Sequence, residues 1–97
     1  MKRAIVINEK DNVATLITDA SEGDEVHIRI GKREELVKMT QDIKFGHKFA
    51  VRTVAVKENI IKYGEVIGRA TAPIAVGEHA HIHNVESLRG RGDLRES

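Results

Sequence analysis

The stretch "EVHIRIGKREELVKM", residues 25–39, holds the choice between an all-strand chain and a mixed one. Its first half alternates, with Val26, Ile28 and Ile30 on one face and His27 and Arg29 on the other. That is the period-two pattern of a half-buried strand. The second half is ambiguous. "KREELVKM" (32–39) sets Glu34 and Glu35 against Lys38 at helical spacing, which fits a short helix, yet "ELVKM" reads equally as a strand.

Outward from this stretch, short apolar runs broken by turn signals dominate. "AIVI" (4–7), the polar "NEKDN" and "VATLIT" (13–18) predict a hairpin. "KFAVRTVAV" (48–56) is rich in β-branched residues, and "AHIHNV" (80–85) alternates again. "EGDEVHI" (22–28), "YGEVIG" (63–68) and "VGEHAHI" (76–82) each run glycine, acid, then apolar alternation. Each reads as a tight turn entering a strand, and their unequal spacing excludes a solenoid repeat. "ESLRGRGDLRES" (86–97) loses all periodicity. The expectation is a mostly-β domain of short strands over residues 1–85, with at most one short helix, and a polar, mobile tail over 86–97.

Bulk properties narrow the function. The 97 residues suit one domain and are too few to enclose a large cleft. Phe45, Phe49 and Tyr63 are the whole aromatic set, so the core is aliphatic. Sixteen basic and fifteen acidic residues, well mixed, give a net charge of +1. This argues against a nucleic-acid binder, which concentrates basic charge and adds stacking aromatics. Cysteine is absent, so disulfides, thiolate metal sites and cysteine nucleophiles are excluded together. No segment has signal-peptide or membrane-spanning character, and a cytoplasmic location with no membrane partner is the default expectation. The "RGD" at 91–93 is short enough to arise by chance and carries no weight.

Chemistry concentrates in two stretches. "GEHAHIHN" (77–84) puts histidines at 79, 81 and 83. On a strand, alternate side chains share a face at roughly 6.5–7 Å per step, so two can converge on one ion and three cannot. His81 and His83 are the better pair because His79 directly follows the turn, and His47 in "DIKFGHKFA" (42–50) is the natural external ligand. Neutral imidazole suits Fe, Zn, Mn, Ni or Cu alike. The alternative is a solvated polar strand face. Gly46 permits a turn presenting His47 and Lys48 as an acid/base group and a cation, or simply to water. In "IKYGEVIGRAT" (61–71), Glu65 is either an orienting partner for a histidine or half of a surface pair with Lys62.

Taken in order, "FGHKFAVRTV", "NIIKYGEVIGRAT", "IAVGEHAHIHNVES" and "RGRGD" resemble the N-terminal SAF-type (β-clip) domain of the altronate and galactarate dehydratases. Similar small subunits occur in sulfolactate sulfo-lyase, and the resemblance runs over roughly residues 11–93. It implies a hydro-lyase that removes water from a sugar acid to give a 2-keto-3-deoxy acid. It also implies a divalent metal, generally Fe²⁺ with Mn²⁺ as the other choice, and a large catalytic subunit as partner. Carried onto this sequence, it makes His47, Lys48 and Asn84 catalytic and His81 and His83 metal ligands, and it leaves His79 at the surface. Two other readings stand beside it: a sulfo-lyase small subunit, and a non-catalytic binding or assembly module. A homodimer of the isolated chain is a further expectation.

Overall fold

The structure, a computed structural model, describes residues 1–87. Nine strands run in chain order: β1 (Lys2–Ile5), β2 (Val13–Leu16), β3 (Glu25–Ile30), β4 (Arg33–Lys38), β5 (Lys48–Ala50), β6 (Asn59–Lys62), β7 (Glu65–Ala70), β8 (His79–Ala80) and β9 (Val85–Ser87). There is no helix among the described residues, and none is long and apolar enough to cross a membrane. The fold is therefore mostly β, as the alternation of residues 25–30 predicts.

The ambiguous 32–39 segment is a strand. β4 pairs antiparallel with β3 along its whole length, from Glu25↔Lys38 to Ile30↔Arg33. An eight-residue helix is too short to recover its nucleation cost, whereas pairing with β3 satisfies a row of backbone groups. Burial follows period two as well, with Val37 buried and Leu36 facing solvent. The predicted hairpin is present, with β1 antiparallel to β2 through Ala4↔Leu16 and Ile5↔Thr15. Two expected strands are cut short. "KFAVRTVAV" is a strand only over β5, with a single further bridge at Val54, and "AHIHNV" stops being a strand at Ala80, with residues 81–84 forming a turn. At the other end, Glu86 and Ser87 pair with β7, while residues 88–97 of the expected tail lie outside the described residues.

A six-stranded sheet ordered β4-β3-β1-β2-β5-β8 packs beside a three-stranded sheet ordered β6-β7-β9. β2 and β5 serve two cores because their residues alternate. Ala14, Leu16 and Phe49 enter one cluster with Val26, Ile28 and Ile30. Val13 and Ala50 enter the other with Val54, Ile60, Ile74 and Ala80. Asn12 joins the sheets: its amide donates to the Asn59 carbonyl and accepts from the Ile61 N–H, and both bonds are 2.8 Å. The neighbouring Asp11 carboxylate is fully buried and accepts from the N–H groups of Ile7, Asn8 and Gly64. A buried polar group is tolerated only when so satisfied.

One turn is built four times, after Ala20, Ile43, Val54 and Ile74, and these residues bridge in pairs, Ala20 with Ile43 and Val54 with Ile74. In three copies an acid closes the turn by accepting the N–H three residues back: Asp24 from Ser21, Glu58 from Ala55 and Glu78 from Ala75. In the second copy, "KFGH", that position is His47. The residue before it has positive φ each time: Gly23, Gly46, Lys57 and Gly77.

These turns differ in tolerance. A Cβ at Gly77 would overlap the carbonyl oxygen of Lys38, whereas one at Gly23 meets nothing within 4 Å. Gly77→Ala should cost at least about 2 kcal/mol, and Gly23→Ala only the left-handed backbone penalty of about 1 kcal/mol. Urea unfolding of the two variants side by side measures the contrast, and equal losses would refute it.

Candidate metal centre

β5 and β8 pair antiparallel, placing Lys48 opposite Ala80 and Phe49 opposite His79. Successive residues of an extended chain alternate faces. His47, two residues before Phe49, thus emerges on the face that carries His79. Lys48 turns to the other side with Ala80. His81 follows two residues after His79. The rings of His47, His79 and His81 form a nearly equilateral triangle, with centroid separations of 5.0, 5.0 and 5.1 Å. One ligand nitrogen from each lies within 4.8 Å of the others, and His47 Nδ1 and His79 Nε2 are 3.0 Å apart.

These spacings match a shared ion. With metal–nitrogen bonds of roughly 2.1 Å, ring centroids lie roughly 3.2 Å from the metal, so neighbouring rings are separated by roughly 4.6–5.3 Å across 90–109°. The observed triangle falls inside that range. The 3.0 Å nitrogen pair is close to the edge of an octahedral face. His79 and His81 are almost parallel, at 7°, so their rings would tilt to direct both lone pairs at one point.

The expected site residues fall into three groups. His47 and His81 are brought together. His79, which the family resemblance leaves at the surface, is half-buried and stands in the triangle. His83 is exposed on the 81–84 turn, its ring 5.7 Å from that of His79 and outside the group of three. Asn84 is only 2% exposed, and its side chain is committed to the backbone. Its Nδ2 donates to the His79 carbonyl at 2.8 Å, and its Oδ1 accepts from the His81 N–H at 2.9 Å. The carboxamide expected to be catalytic is thus spent on bridging the backbone of His79 and His81.

Gln41 is a further support that sequence reasoning did not single out: its Oε1 accepts from the His79 N–H at 3.1 Å. No local pattern marks it, since it acts across 38 positions. The GHK turn is fixed by Gly46 N–H to the Leu16 carbonyl and Leu16 N–H to the His47 carbonyl, both 2.9 Å. Glu65 flanks the Tyr63–Gly64 turn opposite Lys62, is exposed, and forms no ion pair with it.

The surroundings favour the neutral form of His79 and His81. Burial, then the neighbouring His47, His81, His83 and Lys48, lowers His79 to about 4. His81 is lowered in the same direction by burial, then His47, Lys48 and His83. Lys48 is lowered by burial and then by the charge of Lys62. Neutral imidazoles with available lone pairs are the form that binds metal.

The site and the small all-β scaffold define a class of domain, and the comparisons name it. The SAF domain model of the altronate/galactarate dehydratases matches residues 2–88, and the chain belongs to that family. It is 43% identical over 83 residues to an altronate dehydratase of Escherichia coli (strain K12), covering 86% of this chain and 16% of that enzyme. It is 36% identical over 87 residues to an altronate dehydratase of Bacillus subtilis (strain 168), covering 90% of this chain and 17% of that enzyme. It is 49% identical over 47 residues to the (2R)-sulfolactate sulfo-lyase subunit alpha of Chromohalobacter salexigens, covering 48% of this chain and half of that subunit. The chain thus spans about one sixth of the dehydratases it matches.

Two predictions follow from the geometry. Asn84→Ala removes two buried hydrogen bonds and should cost about 1–3 kcal/mol, with metal affinity falling alongside. Isothermal titration with Zn²⁺ and thermal unfolding measure both, and unchanged affinity would separate the turn from the site. For pH, the folded pKa of His79 lies below its unfolded value of 6.5. The unfolded chain therefore binds more protons between about 4 and 6.5. Stability of the metal-free chain should be full above pH 6.5 and decline as pH falls toward 4, and His79→Gln should flatten that slope. Denaturant midpoints across the window test the sign.

Proposed function

We propose that this chain is the metal-holding SAF component of a lyase that dehydrates a sugar acid such as altronate or galactarate. The observation that carries this is the triangle of His47, His79 and His81 in a chain of the dehydratase family. These three residues would hold a divalent ion, Fe²⁺ or Mn²⁺. When bound, that ion supplies Lewis-acid stabilisation of negative charge on substrate oxygens.

The chain's own groups account for part of such a reaction. Dehydration takes a proton from the carbon next to a carboxylate and expels hydroxide from the following carbon, and the expelled group leaves as water after protonation. Lys48, half-buried beside His81, offers an ammonium to the carboxylate as charge builds on it. His83, exposed on the turn next to the triangle, would pass protons between substrate and solvent. Asn84 and Gln41 keep His79 and His81 from turning away. A large catalytic subunit would supply the remaining walls, since the described residues leave the face of the histidine triangle half-open to solvent.

A sulfo-lyase is the second reading, supported by the 49% identity to a sulfolactate sulfo-lyase subunit alpha. Reconstitution with the cognate large subunit and Fe²⁺ or Mn²⁺ distinguishes them through assays on altronate, galactarate and sulfolactate. Formation of a 2-keto-3-deoxy acid is expected, with His47→Ala, His79→Ala and His81→Ala each lowering kcat/KM by more than about a hundredfold. Sulfite release alone would favour the second reading. Full activity of the triple variant would leave a non-catalytic assembly module.

A further inference from the structure

Behind the histidine triangle, on the opposite face of β5, a cleft of ≈ 350 Å³ opens where the two sheets meet. Lys48 from β5 and Lys62 from β6 enter it, His81 forms one rim, and Ile67, Ala80 and Val85 supply apolar wall. The two ammonium groups are close enough to repel each other. Among the described residues neither has an ion-pair partner. Lys62 instead rests its ammonium 5.0 Å from the Tyr63 ring centroid. Two cations from different sheets, left without a carboxylate between them, form a site that a small anion would complete. The Thr15 hydroxyl, directly across β2 and β5 from Lys48, is buried and also lacks a hydrogen-bond partner among the described residues.

We propose that the Lys48–Lys62 cleft is an acid-group subsite, taking a carboxylate or sulfonate of a small organic acid whose carbon chain lies against Ile67 and Val85. The proposal deepens the lyase reading and rests on it for the identity of the ligand class. Its geometry adds a specific consequence. Because His81 borders both the cleft and the triangle, one molecule can present an acid group to the lysines while its hydroxyl-bearing end faces the histidines. Lys62 thereby becomes a specificity-determining residue on a sheet that carries none of the three histidines. A lone surface lysine would show no such preference for a molecule with apolar carbon beside its charge.

The test uses the full 97-residue chain, stripped of metal with chelator, and follows the assigned Lys48 and Lys62 side-chain resonances by NMR. The probes are malate, sulfolactate and inorganic phosphate. Saturable shifts at both lysines with malate or sulfolactate are expected, and the tighter of the two identifies the acid group the cleft takes. Lys62→Met, which keeps the stem and removes the charge, should weaken binding about tenfold or more. Lys57→Met, on an exposed turn, should not. Amide spectra of each variant verify that it is folded. Absence of saturable shifts, a response to phosphate alone, or unchanged affinity in Lys62→Met would overturn the proposal. Zn²⁺ uptake on the same samples keeps the readings apart: anion binding without metal uptake defeats the metal centre alone, and metal uptake without anion binding defeats the subsite alone.

Discussion

The buried Asn84 amide is the contact on which the site depends. It ties the carbonyl of His79 to the N–H of His81, and the Asn84 and Val85 N–H groups both return to the His81 carbonyl. A buried carboxamide with any of these bonds missing carries an unsatisfied polar group, so the turn has one satisfied arrangement. In that arrangement the chain leaves β8 at Ala80 and folds back at once. His81 is thereby directed toward His79 instead of a strand step away from it. Loss of this side chain would remove the tie between the two histidines, leaving His79 held by β5 and Gln41.

The third corner comes from a different economy of the fold. Four copies of one turn supply the ends of short strands, and in three of them an acid is needed to accept a backbone N–H. His47 occupies that place in the remaining copy. There the turn is held by backbone pairing to Leu16 and by Asp19, which accepts the Phe45 N–H. The imidazole is consequently free of structural duty within its turn. Antiparallel pairing of β5 with β8 then places it against His79. In the proposed centre this scaffold turn would present a ligand, because other groups hold it closed.

Much of the fold was legible in the sequence because period two is a local signal. The β1–β2 hairpin and the buried face of β3 follow from alternation alone. Residues 32–39 were ambiguous because the same charges satisfy helical spacing and a paired strand, and only the partner β3 decides between them. The site was legible in part. GHK and HxHN mark the neighbourhood where the triangle forms; His47 and His81 fall in it and His83 lies outside. The family resemblance leaves His79 at the surface, and strand spacing agrees with it, since three alternate histidines on one straight strand cannot converge. A long-range property, the side chain of Asn84 ending that strand, removes the restriction. Lys62 and Gln41 reach the site from distant elements, so no spacing within the sequence announces them.

The central claim is that His47, His79 and His81, and not the His81–His83 pair, hold a single divalent ion. X-ray absorption of the full chain loaded with one equivalent of Zn²⁺ tests this directly, with the same spectrum taken on His79→Ala and His83→Ala. The account predicts three imidazole ligands per ion, reduced by one in His79→Ala and unchanged in His83→Ala. A spectrum that loses an imidazole on removal of His83 but keeps its full set without His79 would contradict it.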